Sequence, residues 1–266
     1  MNNIHNLIRY YQKLLISKNR DENIIFHFLE YQTGLNKFEL LTNCDYTIDE
    51  KLLGSHIREY INGKSAQYIT NFTYFYTRKF YVDERVLIPR FETEEVVTCA
   101  INIINKHNLN VGLDVGSGSG NIAITLDLEC QIDIDSVDIS KDAITVAKKN
   151  NYDLNANVKF FVNDLLNNLK DKYDFIISNP PYIALEGFIT NETRENEPHL
   201  ALFGGEDGMD YYREIVNASK KLKKLKFIIF EIGFDQGASI QHLWKNINII
   251  KDINGNDRVA ILDMRS

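Results

Sequence analysis

The segment Val111-Gly112-Leu113-Asp114-Val115-Gly116-Ser117-Gly118-Ser119-Gly120 runs from an apolar stretch straight into a glycine-rich turn. Asn121-Ile122-Ala123-Ile124-Thr125-Leu126 follows and reads as the start of a helix. A short buried strand that turns through glycines into a helix is the opening unit of a parallel α/β sheet. Glycines permit the sharp turn there and let another molecule approach the main chain closely.

The pattern repeats outward from this unit. Strand-like runs recur at Ile132–Val137, Val158–Val162, Tyr173–Ile177, Phe227–Ile232, Ile247–Lys251 and Val259–Asp263. Helix-like runs lie near 92–107, 120–129, 140–151, 208–224 and 235–245. The alternation predicts an α/β fold with a mostly parallel, Rossmann-like, seven-stranded sheet covered on both faces. Such sheets bind ligands beyond the carboxyl ends of their strands. Towards the N-terminus the period changes. Ile4, Leu7, Ile8, Tyr11, Leu14 and Leu15 share one helical face, and Ile24, Ile25, Phe28 and Leu29 repeat it. Thr47-Ile48-Asp49-Glu50 fits a capping box ahead of a stripe of Leu52, Leu53, Ile57 and Tyr60. Aromatic and β-branched residues from Phe72 to Val86 predict a hairpin turning at Thr77-Arg78-Lys79. The chain thus divides into a helical domain over 1–70, a β-hairpin connector over 71–86 and the α/β domain over 87–266.

Composition narrows the function classes. With 266 residues, 44% hydrophobic and 25% charged, the chain is neither disordered nor fibrous. Binding to phosphate backbones usually relies on a basic face, and with a net charge of -7 and no long Lys/Arg block the charge does not point to nucleic acid as a partner. The nearest basic run, Lys220-Lys221-Leu222-Lys223-Lys224, reads as the exposed end of a helix. Cys44, Cys99 and Cys130 are widely spaced, so they read as small packed hydrophobes of a reducing compartment. No histidine pair has ligand spacing, and no metal is expected. With no signal-peptide core and no membrane-length apolar run, a cytoplasmic protein is expected. A monomer is expected, without a sequence feature of its own to mark it. Only four prolines occur, Pro89, Pro180, Pro181 and Pro198.

The glycine turn has a second carboxylate at the right offset. Asp138 ends the next strand about twenty residues on, where a carboxylate meets ribose hydroxyls. Asn163-Asp164-Leu165 ends the third, where Asp164 suits an adenine amino group and Leu165 the ring face. The Gly116-x-Gly118-x-Gly120 spacing departs from the dinucleotide fingerprint. Asp114 would attract a ligand amine but repel a pyrophosphate. S-adenosyl-L-methionine therefore fits better than a nicotinamide cofactor.

The fourth strand runs into Asn179-Pro180-Pro181-Tyr182. A planar amine conjugated to a carbonyl or a ring is a poor nucleophile. Two acceptors aimed at its N–H bonds, the Asn179 side-chain oxygen and the Pro180 carbonyl, would fix the nitrogen. Proline holds that carbonyl in place. Tyr182 would stack on the planar group.

Six segments then occur in one order: Leu87-Ile88-Pro89-Arg90-Phe91-Glu92-Thr93-Glu94, Asp114–Gly120, Val137–Ser140, Asn179–Tyr182, Glu197-Pro198-His199 with Gly204-Gly205-Glu206-Asp207-Gly208, and Phe230-Glu231-Ile232-Gly233. Together they resemble the PrmC/HemK family, N5-glutamine methyltransferases of class 1 peptide-chain release factors. The likeness extends to Ala66-Gln67-Tyr68-Ile69 and Gly255-Asn256-Asp257-Arg258. It implies a class I S-adenosylmethionine-dependent methyltransferase domain behind a helical substrate-binding domain, and a release factor as partner. Gly116, Ser117, Gly118, Ser119, Gly120, Asp138 and Leu165 would line the cofactor site. Asn179, Pro180, Pro181 and Tyr182 would hold the glutamine. Arg90, Glu92 and Thr93 lie in the loop that would close near the methyl group. The family usually has proline at Phe91, glycine at Asn71 and an aromatic residue at Leu165.

Two other functions share parts of this pattern. An amino-methyltransferase of nucleic acid would use the same acceptors on a flipped base, but would be expected to carry a basic groove. A non-catalytic cofactor-binding module would not need Asn179 to Tyr182 intact.

Overall fold

The computed structural model describes residues 4–42 and 46–265. Cys44 lies outside the described residues. The chain forms two compact units, Met1–Phe72 with Asn191–Asn196, and Thr73–Thr190 with Glu197–Ser266.

The smaller unit contains α1 (Ile4–Ser17), α2 (Ile24–Thr33), α3 (Lys37–Thr42), α4 (Glu50–Ile61) and α5 (Ala66–Thr70). The sequence periodicity marks α1, α2 and α4; α3 and α5 are short pieces that periodicity cannot resolve. Ile4, Leu7, Ile8 and Leu15 of α1 bury against Ile25, Phe28 and Leu29 of α2 and Leu53 and Ile57 of α4. The cap of α4 is Asp49 rather than Thr47. One Asp49 carboxylate oxygen accepts from Lys51 N and Leu52 N at 3.0 Å each, and its charge suits the positive helix end. Asn71, after α5, has φ 57°, the left-handed conformation that explains the usual glycine there. The excursion of Asn191–Asn196 into this unit has no sequence signal. Arg20 binds Glu192 at 2.9 Å, and Asn196 donates to Gly63 O at 2.9 Å.

The hairpin of β1 (Phe72–Phe75) and β2 (Arg78–Tyr81) follows, and all of it but Phe72 belongs to the larger unit. Its turn is Tyr76-Thr77, not Thr77-Arg78-Lys79, and both turn residues have positive φ, 49° and 65°. A two-residue turn of this hand matches strand twist but normally takes Asn-Gly. Here Glu94 accepts from Tyr76 N at 2.7 Å and holds the strained pair.

The remaining elements are α6 (Phe91–His107), β3 (Val111–Val115), α7 (Asn121–Cys130), β4 (Asp133–Asp138), α8 (Lys141–Asp153), β5 (Lys159–Val162), β6 (Phe175–Ser178), α9 (Asn191–Asn196, in the smaller unit), a 3₁₀ turn (His199–Ala201), α10 (Asp210–Ser219), β7 (Phe227–Glu231), α11 (Gly237–Leu243), β8 (Ile247–Lys251) and β9 (Asp257–Asp263). Seven strands form one sheet in the order β5-β4-β3-β6-β7-β9-β8. All neighbours are parallel except β9, which runs antiparallel between β7 and β8. Val96, Val97 and Ala100 of α6, Ile124 of α7 and Ala147 of α8 cover one face. Tyr212, Ile215 and Val216 of α10 and Ile240 of α11 cover the other. Cys99 and Cys130 are free, half-buried thiols beside the first face, their pKa values raised by burial.

The lysine run corrects an expectation. Helix α10 ends at Ser219, so the run lies in the turn beyond it, where Leu222 is buried in the core and interrupts any exposed helical end. Order reverses at β3: β4 lies on one side and β6 on the other. A ligand site is expected beyond the carboxyl ends of these strands.

Candidate active site

A cavity of about 500 Å³ opens at that switch point, within the range that holds a cofactor-sized molecule. Gly116, Ser117, Gly118 and Ser119 line it from the end of β3, and Asp138, Ile139 and Ser140 from the end of β4. Asp164 and Leu165 follow β5, and Asn179, Pro180 and Pro181 follow β6. Pro89, Arg90 and Thr93 complete the wall at the start of α6. Of the residues singled out from sequence, Asp114, Gly120, Tyr182 and Glu92 are not on this wall.

The three glycines have different roles. Gly118, φ 50°, has no atom within 4 Å of where a Cβ would project, and Gly116 has only Asn179 O at 3.9 Å. Side chains here would fill the open cradle. Gly120, φ 82°, instead faces inward, where a Cβ would sit 2.9 Å from Ile124 Cδ1 and 3.1 Å from Phe160 Cζ. It is a close-packing glycine between helix and sheet.

Asp138 is tied to the turn. Its Oδ2 accepts from Gly118 N at 3.0 Å and its Oδ1 from Ser140 N at 2.8 Å. Burial raises its pKa, and these two N–H groups hold the rise back. Each oxygen retains a lone pair for a further donor. Ile139, 61% exposed although apolar, stands beside it on the cavity wall. The open cradle, the carboxylate and the apolar neighbours Ile122, Ile139 and Leu165 fit a nucleoside joined to an amino-acid tail.

Asp114 lies one layer deeper and is fully buried. Ser136 Oγ donates to its Oδ2 at 2.7 Å and meets Ser117 Oγ at 2.6 Å. Oδ1 has no partner. Burial pushes this carboxyl up to about 8, Ser136 only partly opposing it. Asp114 therefore braces the turn from below instead of presenting a charge to the cavity.

The Asn-Pro-Pro-Tyr segment is held from several sides. Ser178 Oγ donates to Val115 O at 2.5 Å and pins the end of β6 to β3. Asn179 Nδ2 donates to Thr93 Oγ1 at 3.3 Å. Gln236 Nε2 donates to Tyr182 O at 3.1 Å and to Gly208 O at 3.2 Å. Ile183 pairs with Phe203 in a parallel bridge, and Gly204 N donates to Ile183 O at 2.9 Å. Gly204 and Gly208 pass so close that a Cβ would lie 2.4 Å from Pro181 O and 2.3 Å from Tyr182 O respectively. The half-buried Tyr182 ring packs against the α10 side of the core, and burial raises its hydroxyl pKa. Its ring thus belongs to the support of the segment, not to the cavity wall.

Sequence reasoning missed Gln236 and gave no separate role to Glu197 or Glu231. Glu197, buried at 5% exposure, forms an ion pair with Arg90 on the cavity wall. Burial raises its pKa while Arg90 draws it down. Glu231 ends β7, and its strand-end position was the available signal. Among the described residues no group of three or more His, Cys, Asp or Glu is placed to hold a metal ion. Nor is any helix there long and apolar enough to cross a membrane.

Comparison with known proteins agrees with this geometry. Residues 98–194 match the methyltransferase small domain. The hMettl16 catalytic domain in complex with the MAT2A 3′UTR hairpin 6 is similar in structure, with a TM-score of 0.57 at 16% identity. That match covers 70% of this chain and 76% of that one. The N-terminal domain of human METTL16 in complex with SAH gives 0.50 at 15% identity, over 70% and 76%. These two likenesses concern the fold. Sequence relatives extend much further. The release factor glutamine methyltransferase of Bacillus cereus is 35% identical over 98% of this chain and 99% of its own. That of Bacillus subtilis is 37% identical over 97% and 96%. The Streptococcus pneumoniae protein is 39% identical over 75% of each. With likeness of this depth along nearly its whole length, the chain belongs to the release factor glutamine methyltransferase family.

Proposed function

We propose that this protein transfers a methyl group from S-adenosyl-L-methionine to the side-chain amide nitrogen (N5) of the glutamine in the Gly-Gly-Gln motif of class 1 peptide-chain release factors. The observation that carries the reading is the shared wall. Asn179, Pro180 and Pro181 line the same cavity as the open Gly116–Gly118 cradle and Asp138. S-adenosyl-L-methionine, when bound, supplies an electrophilic methyl group on a positively charged sulfur. Asp138 would accept from the ribose hydroxyls, and Ile139 and Leu165 would flank the adenine. Asn179 Oδ1 and Pro180 O would accept the two amide N–H bonds of glutamine and orient its nitrogen towards the cradle. Positioning and preorganised dipoles then supply most of the rate.

The helical unit is the part proposed to bind the release factor, and the protein would work as a cytoplasmic monomer. The net charge of -7 supports a protein substrate over direct contact with nucleic acid. The test is incubation with S-adenosyl-L-methionine and a folded class 1 release factor, followed by mass spectrometry of the Gly-Gly-Gln peptide. A gain of one methyl on glutamine is expected. An unchanged peptide, or methyl transfer to adenine in an oligonucleotide, refutes the proposal.

A further inference from the structure

Asn179 is joined to a buried chain that ends on a carboxylate. Thr93 is 2% exposed and Glu231 1% exposed, so little solvent reaches their polar atoms although Thr93 borders the cavity. Thr93 Oγ1 donates to Glu231 Oε2 at 2.6 Å and accepts from Asn179 Nδ2 at 3.3 Å. A hydroxyl has one proton and two lone pairs. Once that proton is given to Glu231, Thr93 presents only a lone pair to Asn179. The Asn179 amide must then turn its NH₂ to Thr93, which leaves Oδ1 directed away from it. With the amide reversed, two acceptors would face each other.

We infer that Thr93, its hydroxyl aimed by the Glu231 carboxylate, is a positioning residue that holds the Asn179 amide with Oδ1 available as an acceptor in the cavity. This rests on the proposed methylation of glutamine, whose N–H bonds need that acceptor. Thr93 and Glu231 are 138 residues apart, and neither is required to touch the reacting atoms. Glu231 is faced by Arg90, Glu92 and Thr93 at the start of α6, by Arg258 of β9, and by Tyr182 and Tyr212. If Glu231 takes up a proton it can donate to Thr93 Oγ1. The Thr93 proton is then free to meet Asn179 Oδ1, and the bias on the amide disappears.

The test compares Thr93→Val and Thr93→Ser with the parent. Loss of one such bias corresponds to about a tenfold fall in kcat for Thr93→Val. Thr93→Ser is expected to stay within about threefold of the parent. In an Asn179→Ala background, Thr93→Val should add nothing, because its effect passes through Asn179. The parent's kcat is expected to decline as pH falls through the titration of Glu231, whose carboxyl burial raises to about 7, and Glu231→Gln should flatten that decline. Parent-like kcat in Thr93→Val, full additivity with Asn179→Ala, or an unchanged acid limb in Glu231→Gln would each overturn the inference. A further readout needs no turnover. Exchange of the Asn179 side-chain amide protons, followed by NMR, should be about tenfold faster in Thr93→Val than in the parent. Equal exchange overturns the positioning role even if the release factor proves not to be the substrate. A parent that fails to methylate it, with faster exchange in the variant, overturns only the functional reading.

Discussion

Replacing Gly204 by alanine tests the view that the acceptor segment is set by the backbone packed against it. The φ of Gly204 lies outside the left-handed region, so alanine meets no conformational penalty there. Its Cβ would instead sit 2.4 Å from Pro181 O, with Gly208 O at 2.9 Å on another side. Gly204 cannot simply retreat, because its N–H binds Ile183 O at 2.9 Å and its carbonyl accepts from Asp210 N at 3.1 Å. Recovering contact distance requires Pro181 O to shift by roughly 0.6–1 Å. A misplacement of about 1 Å, passed from Pro181 to the adjoining Pro180 carbonyl, costs on the order of 10²-fold in rate. That corresponds to about 2.7 kcal/mol of lost transition-state stabilisation. The Gly116–Ser119 turn and Asp138 lie on other strands, so S-adenosylhomocysteine affinity should stay within about threefold. The assay is transfer of labelled methyl to a release factor, paired with S-adenosylhomocysteine titration by calorimetry. A variant with parent-like kcat would refute the reasoning. So would a variant that loses cofactor affinity and turnover together.

Asn179→Ala is expected to keep S-adenosylhomocysteine binding while labelled-methyl transfer falls on the order of 10²-fold, the loss typical of one preorganised dipole. Asp114 carries its proton up to about pH 8 in the folded protein, above its unfolded value. Folding therefore takes up a proton between about pH 4 and 8, and the parent should lose stability relative to Asp114→Asn by up to ~1.4 kcal/mol per pH unit across that window. Urea unfolding of both proteins from pH 5 to 9 measures this, and parallel curves would refute it. Gly120→Ala combines positive φ with contacts below 3.2 Å to Ile124 and Phe160. It should cost about 1–3 kcal/mol in the same unfolding assay, whereas a neutral effect would show that the helix and sheet can separate freely.

Much of the larger unit is legible in sequence because parallel strands buried on both faces read as continuous apolar runs. Phe227–Phe230 and Phe175–Ile177 are examples, and all are buried. Local chemistry misled where tertiary contacts override it. The hairpin turns at Tyr76-Thr77, a pair without turn propensity, because Glu94 on α6 supplies the missing partner. Asp138 could be anticipated from its offset after the glycines. Asp114 reads in sequence as a carboxylate facing a ligand amine, whereas the fold buries it off the cavity wall, since sequence does not say on which layer a strand-end carboxylate lies. The Thr93–Glu231 contact was invisible for a different reason. It joins the first turn of α6 to the last residue of β7, and only the folded sheet brings these together.

The place of β9 has a consequence for how the protein is made. The last strand in sequence is an interior strand of the sheet, paired on both sides. During synthesis β7 and β8 leave the ribosome before β9; β7 can then pair with β6 on one side only, and β8 has no neighbour in the sheet. Until β9 emerges, β7 exposes an apolar edge open to pairing with other chains. Completion of the sheet therefore waits for β9, and a nascent chain arrested near Asn254 should be an aggregation-prone client of chaperones even though most of the sheet's other strands have already been made.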